Sequence, residues 1–221
     1  SRNIWQKFPI VDIGTDLTNI NISASVPENS WILYTMGPDW GPAVLFWPKL
    51  LIVLLLAFLI SKSNLTSLGT RDWTLLGLGL ATLPVILMAI PVLWLVLLNY
   101  RGKKFPKRRL IFNVTQFGLV CLSLSAMLVL YYAVQNGLIL MPDMKIQGDN
   151  SNNSLLRWYV DRSDSGFPEV GMFTLPLWVW KFFMLSWSCW LAFSLLKWLP
   201  LAWKNFSYGA AWWSKDMHNI P

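Results

Sequence analysis

Two patterns of apolar and polar positions divide this chain. Over the first 40 residues, Ile10-Val11-Asp12-Ile13 and Ile20-Asn21-Ile22-Ser23-Ala24-Ser25-Val26 alternate apolar and polar side chains with a period near two. That period belongs to strands with one buried face. Gly14, Thr15 and Asp16 supply turn chemistry between the two expected strands, and Pro27-Glu28-Asn29-Ser30 closes the second. A two-stranded piece is marginal alone, so it is expected to complete a larger β-layer on a preceding region or on a partner.

From residue 43 onward the period is replaced by long uncharged runs. By the criterion of about 20 apolar residues per crossing, the expected spans are 43 to 61, 73 to 99, 110 to 134 and 173 to 199. Gly37-Pro38-Asp39-Trp40-Gly41-Pro42 breaks regular structure before the first, and Trp40 and Trp47 suit the headgroup zone. Lys49 sits where it can snorkel. In the second span Gly77 and Ala81 form a small-xxx-small pair for close helix approach. Pro84 and Pro91, two turns apart, each remove a backbone hydrogen bond and favour a bend. Thr115, Gln116, Ser123 and Ser125 in the third can bond backbone or a neighbouring helix. Trp180, Phe183, Trp187 and Trp190 fall on one face of the fourth, where they either line a groove for a lipid, quinone or pigment or supply packing bulk; packing is the preferred reading, with Trp187 and Trp190 as packing residues.

Residues 135 to 172 form a polar loop full of turn signals, Asn136-Gly137 and Pro142-Asp143 among them, with one candidate strand over 155 to 160. After the fourth span, Trp203, Lys204, Tyr208, Trp212, Trp213 and Lys215 are expected in the membrane interface. The expected fold class is therefore a mainly α-helical membrane protein with about four transmembrane helices, a short β-rich N-terminal segment and one polar loop.

Composition supports this. Hydrophobic residues make up 55% and charged residues 13% of the 221, with a mean hydropathy of +0.45, more apolar surface than a soluble chain of this size can bury. The net charge of +7 would suggest nucleic acid in a soluble protein, but no recognition module accompanies it. Instead Arg101, Lys103, Lys104, Lys107, Arg108 and Arg109 crowd beside two apolar runs, so anionic lipid headgroups are the expected partner, with other membrane subunits beside them. The same cluster assigns its loop to the cytoplasm. Counting four crossings then puts residues 1 to 40 and the tail in the cytoplasm and the 135 to 172 loop outside, although a β-rich N-terminal segment reads more like an exported surface. The chain opens on Ser1 rather than methionine and is read as a processed product or the C-terminal part of something longer.

Chemistry is sparse. Cys121 and Cys189 lie within apolar runs, His218 is the single histidine, and no metal or cofactor is expected. Arg157, Trp158, Tyr159 and Arg162 offer guanidinium and aromatic groups that could hold a lipid headgroup, a sugar or a partner. Their plainer reading is a strand anchored at the membrane surface. Asp161 and Asp164 are the one carboxylate pair for a headgroup-directed enzyme, though acids in a Ser- and Gly-rich turn are usually only solvated. No HExxH, GxSxG, P-loop or GxGxxG motif occurs.

The runs 37 to 47 (GPDWGPAVLFW), 155 to 162 (LLRWYVDR) and 175 to 180 (LPLWVW) resemble a group of uncharacterised proteobacterial multi-pass membrane proteins with a larger N-terminal soluble region. The resemblance covers nearly the whole chain and implies a bacterial inner membrane and a preceding domain. It transfers no site residues. The expected function is a non-catalytic membrane module, the anchor of a larger envelope protein or an accessory subunit. The alternatives are a transporter or lipid-handling protein and a membrane enzyme acting on lipid or sugar headgroups.

Overall fold

The computed structural model describes residues 4–8, 14–38, 41–63, 65–103, 109–163 and 166–208. The expected strand over 10 to 13, Trp40, Asp164, Lys104, Lys107, Arg108 and the tail from residue 209 lie outside them, as does the side chain of Arg109. In chain order the elements are β1 (Trp5–Lys7), β2 (Leu17–Ser25), β3 (Ser30–Met36), β4 (Ala43–Val44), α1 (Phe46–Lys62), α2 (Thr70–Leu80), α3 (Val85–Lys103), α4 (Arg109–Ile139), β5 (Ile146–Gln147), β6 (Leu155–Ser163), β7 (Gly171–Pro176) and α5 (Leu177–Phe206). They form two compact units, Ser1–Lys49 with Leu140–Phe183 and Leu50–Ile139 with Met184–Pro221.

The first unit is β-rich and discontinuous in sequence. Every sheet in it joins a strand from before the helices to one from after α4: β7 lies between β1 and β3, β2 pairs with β6, and β4 with β5, all antiparallel. The layer that the N-terminal strands need is thus supplied by the polar loop of the same chain. Register explains why: Ile20 faces Val160, Ile22 faces Trp158 and Ala24 faces Leu156, so the inward positions of both alternating strands coincide. The core beside them is aromatic. Trp31 stands edge-on to Trp180 at 5.2 Å and donates from its indole to Met144 Sδ at 3.1 Å, while Phe46 meets Trp180 at 6.4 Å.

Five strands, β1, β3, β4, β5 and β7, were not expected, and β3 and β7 are the longest of them. β3 is a mostly apolar run without alternation, and β7 occupies residues 173 to 176 where the fourth span was expected to begin. A short continuous apolar run does not distinguish strand from helix; here Pro176 closes the strand and α5 starts at Leu177.

In the second unit, α3, α4 and α5 are long and apolar enough to cross a membrane, with candidate spans of 19, 30 and 30 residues. The first of the expected spans, α1, has 17 residues and is not among these three. The expected helix over 73 to 99 is two helices, α2 of 11 residues and α3 of 19. Pro84 has no N–H to continue the ladder from Leu80, and the chain turns through Ala81 to Pro84 instead. Asn99, one turn from the end of α3, donates to the Leu65 carbonyl at 2.7 Å, so the segment from Leu65 to Asn99 closes on itself as a hairpin. Pro84 is exposed and bounds this turn rather than packing, whereas Pro91 is buried inside α3. α4 runs past Asn136-Gly137 to Ile139; this dipeptide is helical, and Met184 fills the space where a side chain at Gly137 would stand.

Helix contacts rest on small residues. A β-carbon on Gly77 would lie 3.2 Å from Val53 Cγ1 and 3.5 Å from Ala57 Cβ, so α1 and α2 approach closely there. Ala81 is buried at the end of α2. Trp187 lies over Gly79 and donates to the Leu75 carbonyl at 2.8 Å. The buried seam of α5 in this unit is Met184, Trp187, Leu191, Ser194 and Trp198. Phe183 is exposed, and Trp190 is half-buried, edge-on to Trp198 at 5.9 Å. The expected aromatic face is therefore shifted by one residue in two places: Met184 and Leu191 take the seam positions expected for Phe183 and Trp190, whose rings are accommodated beside it, where lipid is as apolar as protein.

The strand pairings also correct the expected topology. Val44 pairs with Ile146 and Ile22 with Trp158, so residues 17 to 44 and 146 to 176 are on one side of any membrane the helices cross. Counting 73 to 99 as one crossing had put them on opposite sides.

Candidate functional site

β6 carries the four residues singled out as a headgroup or partner site, and strand geometry separates them. Successive side chains alternate faces, so Arg157 and Tyr159 share one face while Trp158 points the other way. Trp158 is 1% exposed and its indole lies against Gly37 and Gly41, where side chains would collide with it. It is core, not a contact surface, which corrects the sequence expectation. Arg157 is exposed; Tyr159 donates to Asn19 Oδ1 at 2.8 Å, and Arg162 pairs with Asp16 at 2.8 Å. Asp161 hydrogen-bonds the Tyr159 phenol and pushes its pKa above the usual value. These are contacts that hold β6 to β2, and they do not converge on a common pocket.

Nearby, burial pushes the Asp143 carboxyl up, but the Lys145 amine and backbone N–H outweigh it and hold the group below its usual pKa. The ion pair spans 2.5 Å between half-exposed side chains and fixes the turn before β5.

The helical unit concentrates polar contacts where α3 and α5 end and α4 begins. The last carbonyls of a helix have no intrahelical donors. Here Gln116 of α4 donates to the Phe206 carbonyl at 3.0 Å and Arg101 of α3 donates to the Tyr208 carbonyl at 3.0 Å. The Arg101 guanidinium also stands 4.9 Å from the Phe112 ring centroid. Arg101 is 2% exposed, so it is removed from the headgroup-facing set: its Nη2 closes the end of α5 from within. Gly102 leaves room for Asn205, whose Oδ1 would lie 2.6 Å from a β-carbon there. Lys103 is exposed.

Beside this end lies a cleft of about 320 Å³, at the small end of the range of about 300–1,000 Å³ for ligand pockets. α3 gives it Trp94 and Leu98, α4 Val120, Ser123 and Met127, and α5 Ala202 and Phe206, with Trp203 also in the wall. Trp94 donates to Ser123 Oγ at 2.8 Å, and Ser123 donates to the Leu119 carbonyl at 2.7 Å. These two polar groups are satisfied by one another and by backbone, so the wall they share is chemically apolar. Trp203 stacks on Phe206 at 5.9 Å and is 66% exposed, forming an aromatic rim.

Among the described residues no group of three His, Cys, Asp or Glu is placed to hold a metal ion, and Cys121 and Cys189 are free thiols on the outer faces of α4 and α5. Comparison with protein-family models, with curated proteins and with solved structures gives no match. The cleft and the Arg101–Gln116 clasp were not singled out in the sequence. Gln116 carried a signal, a carboxamide within an apolar run, and it was read only as a general helix-bonding group.

Proposed function

We propose that this chain is a non-catalytic membrane module, the anchor of a larger envelope protein or an accessory subunit of a membrane complex, held in a bacterial inner membrane. Five helices in three crossings and one hairpin support it: α1 leaves the side of the β-unit, α2 and α3 enter and return as a hairpin, α4 comes back, and α5 leaves again. This count returns Ile146 to the side of Val44, as their pairing requires. At 17 residues, about 25 Å, α1 nearly matches the hydrocarbon core of about 30 Å.

Charge gives the direction. Nine of the eleven acids fall in the β-unit, and eleven of the eighteen Lys and Arg fall in the helical unit. The basic α3–α4 connection belongs inside by the positive-inside rule, which assigns the β-unit to the outer face and reverses the cytoplasmic assignment of residues 1 to 40.

The observation that carries the partner-binding role is the β2–β6 ribbon. It has two strands of nine residues and no third strand among the described residues, so both outer edges present backbone groups to another chain. Ile4, Trp5, Tyr34 and Met36 add exposed apolar surface to the same unit. Purification from native membranes without overexpression tests this. A stoichiometric partner that cross-links to a thiol placed at Asn21 on β2, and not to one at Ser67, is the expected result. A monodisperse monomer carrying only lipid would count against it. The lipid-handling alternative is kept because the α3–α4–α5 cleft gives it a place.

A further inference from the structure

The cleft lies on the three helices that are long and apolar enough to cross a membrane, so hydrocarbon is what meets its open side. Its inner wall is apolar once Trp94 and Ser123 have bonded each other. That wall favours a flexible chain over a ligand needing polar contacts.

The end of the cleft marked by Leu98, Ala202 and Phe206 has a definite charge. Lys103 follows Leu98 by five residues, about 7.5 Å along α3, and Lys204 lies between Ala202 and Phe206; both are exposed. α3, α4 and α5 contain no Asp or Glu, while they carry Arg101, Lys103, Arg109, Lys181, Lys197 and Lys204. Trp203 beside Lys204 is the amphipathic ring preferred at headgroup level. An apolar slot ending at exposed cations and an indole matches a molecule with a long hydrocarbon tail and an anionic head.

We propose that this cleft seats one acyl chain of an anionic phospholipid whose phosphate group lies against Lys103 and Lys204. The proposal rests on the membrane reading above and adds to it a defined lipid site on the cytoplasmic side. The lipid fills the space between α4 and the last turns of α5 and neutralises a helix end that has no carboxylate of its own.

The test uses the full chain in nanodiscs containing equal phosphatidylglycerol and phosphatidylcholine, with lipid retention read by native mass spectrometry. The wild-type chain should retain phosphatidylglycerol over phosphatidylcholine by about thirtyfold, the scale expected from two lysines at a membrane surface. Ala202→Trp, which fills the cleft, should lose that retained lipid. The Lys103→Gln/Lys204→Gln pair leaves the apolar wall intact, and should keep a bound lipid while losing the preference. Equal retention of the two lipids by the wild-type chain, or unchanged retention by a helical, monodisperse Ala202→Trp chain, would overturn the site. So would a neutral isoprenoid as the molecule retained from native membranes. A chain that fails to enter nanodiscs at all would instead overturn the membrane reading and the site with it.

Discussion

At the scale of single residues, the glycines and buried polar groups of the helical unit are specific rather than permissive. Gly79 lies under the Trp187 indole, which is pinned by its bond to the Leu75 carbonyl. The ring has no easy escape, so Gly79→Ala should destabilise the chain by about 1–3 kcal/mol in detergent unfolding. In a Trp187→Leu background the same substitution should be close to neutral, because the two effects act through one contact. Arg101 is the second test. Alanine there removes charged hydrogen bonding to the end of α5, a loss of about 1.5–3 kcal/mol, and Arg101→Lys should recover only part of it because an ammonium lacks the planar fork. The sequence made Gly77 and Ala81 legible as packing positions. It could not show that Arg101 turns inward, since a basic residue at the end of an apolar run is ordinarily a headgroup contact. Only the position of the distant Tyr208 carbonyl decides it.

At the scale of elements, alternation was the reliable signal and continuous hydrophobicity the ambiguous one. β2 and β6 were legible because Ile20, Ile22 and Ala24 alternate with polar residues and 155 to 160 is bounded by turns. β3 and β7 were not, because their apolar runs fit strand or helix equally. The expected span over 73 to 99 shows the same ambiguity in another form: Pro84 was read as a bend, yet it marks a reversal. Nothing local distinguishes a kinked helix from a hairpin, as the deciding contact, Asn99 to Leu65, joins residues 34 apart. This reversal is directly measurable. In a chain with Cys121 and Cys189 replaced by alanine, cysteines at Leu65 and Asn99 should be joined by a short thiol cross-linker, and cysteines at Leu65 and Val85 should not. Linking of neither pair would restore the single kinked span, whose ends would stand about 39 Å apart.

At the scale of the whole molecule, the β-unit is closed by two stretches separated by about a hundred residues of helix, and membrane sidedness follows from that closure. The acids of 140 to 183 and those of the first 49 residues lie far apart in sequence but within one unit. Combined, they make one acid-rich unit, while the basic residues concentrate in the helical unit, the distribution that the positive-inside rule predicts for a single orientation. The strand register is what joins the two segments, and no local pattern reveals it.

The central claim is that residues 17 to 44 and 146 to 176 share the outer face while the Ser63 to Gly69 connection faces inward with the basic cluster. Labelling of intact cells with a membrane-impermeant maleimide tests it directly, using the cysteine-free chain with single cysteines at Ser25 on β2, Asp161 on β6 and Ser67, all exposed positions. The account predicts that the Ser25→Cys and Asp161→Cys chains are labelled from outside and that the Ser67→Cys chain is labelled only after the membrane is opened. Labelling of Asp161→Cys and Ser67→Cys from outside with Ser25→Cys protected would contradict it.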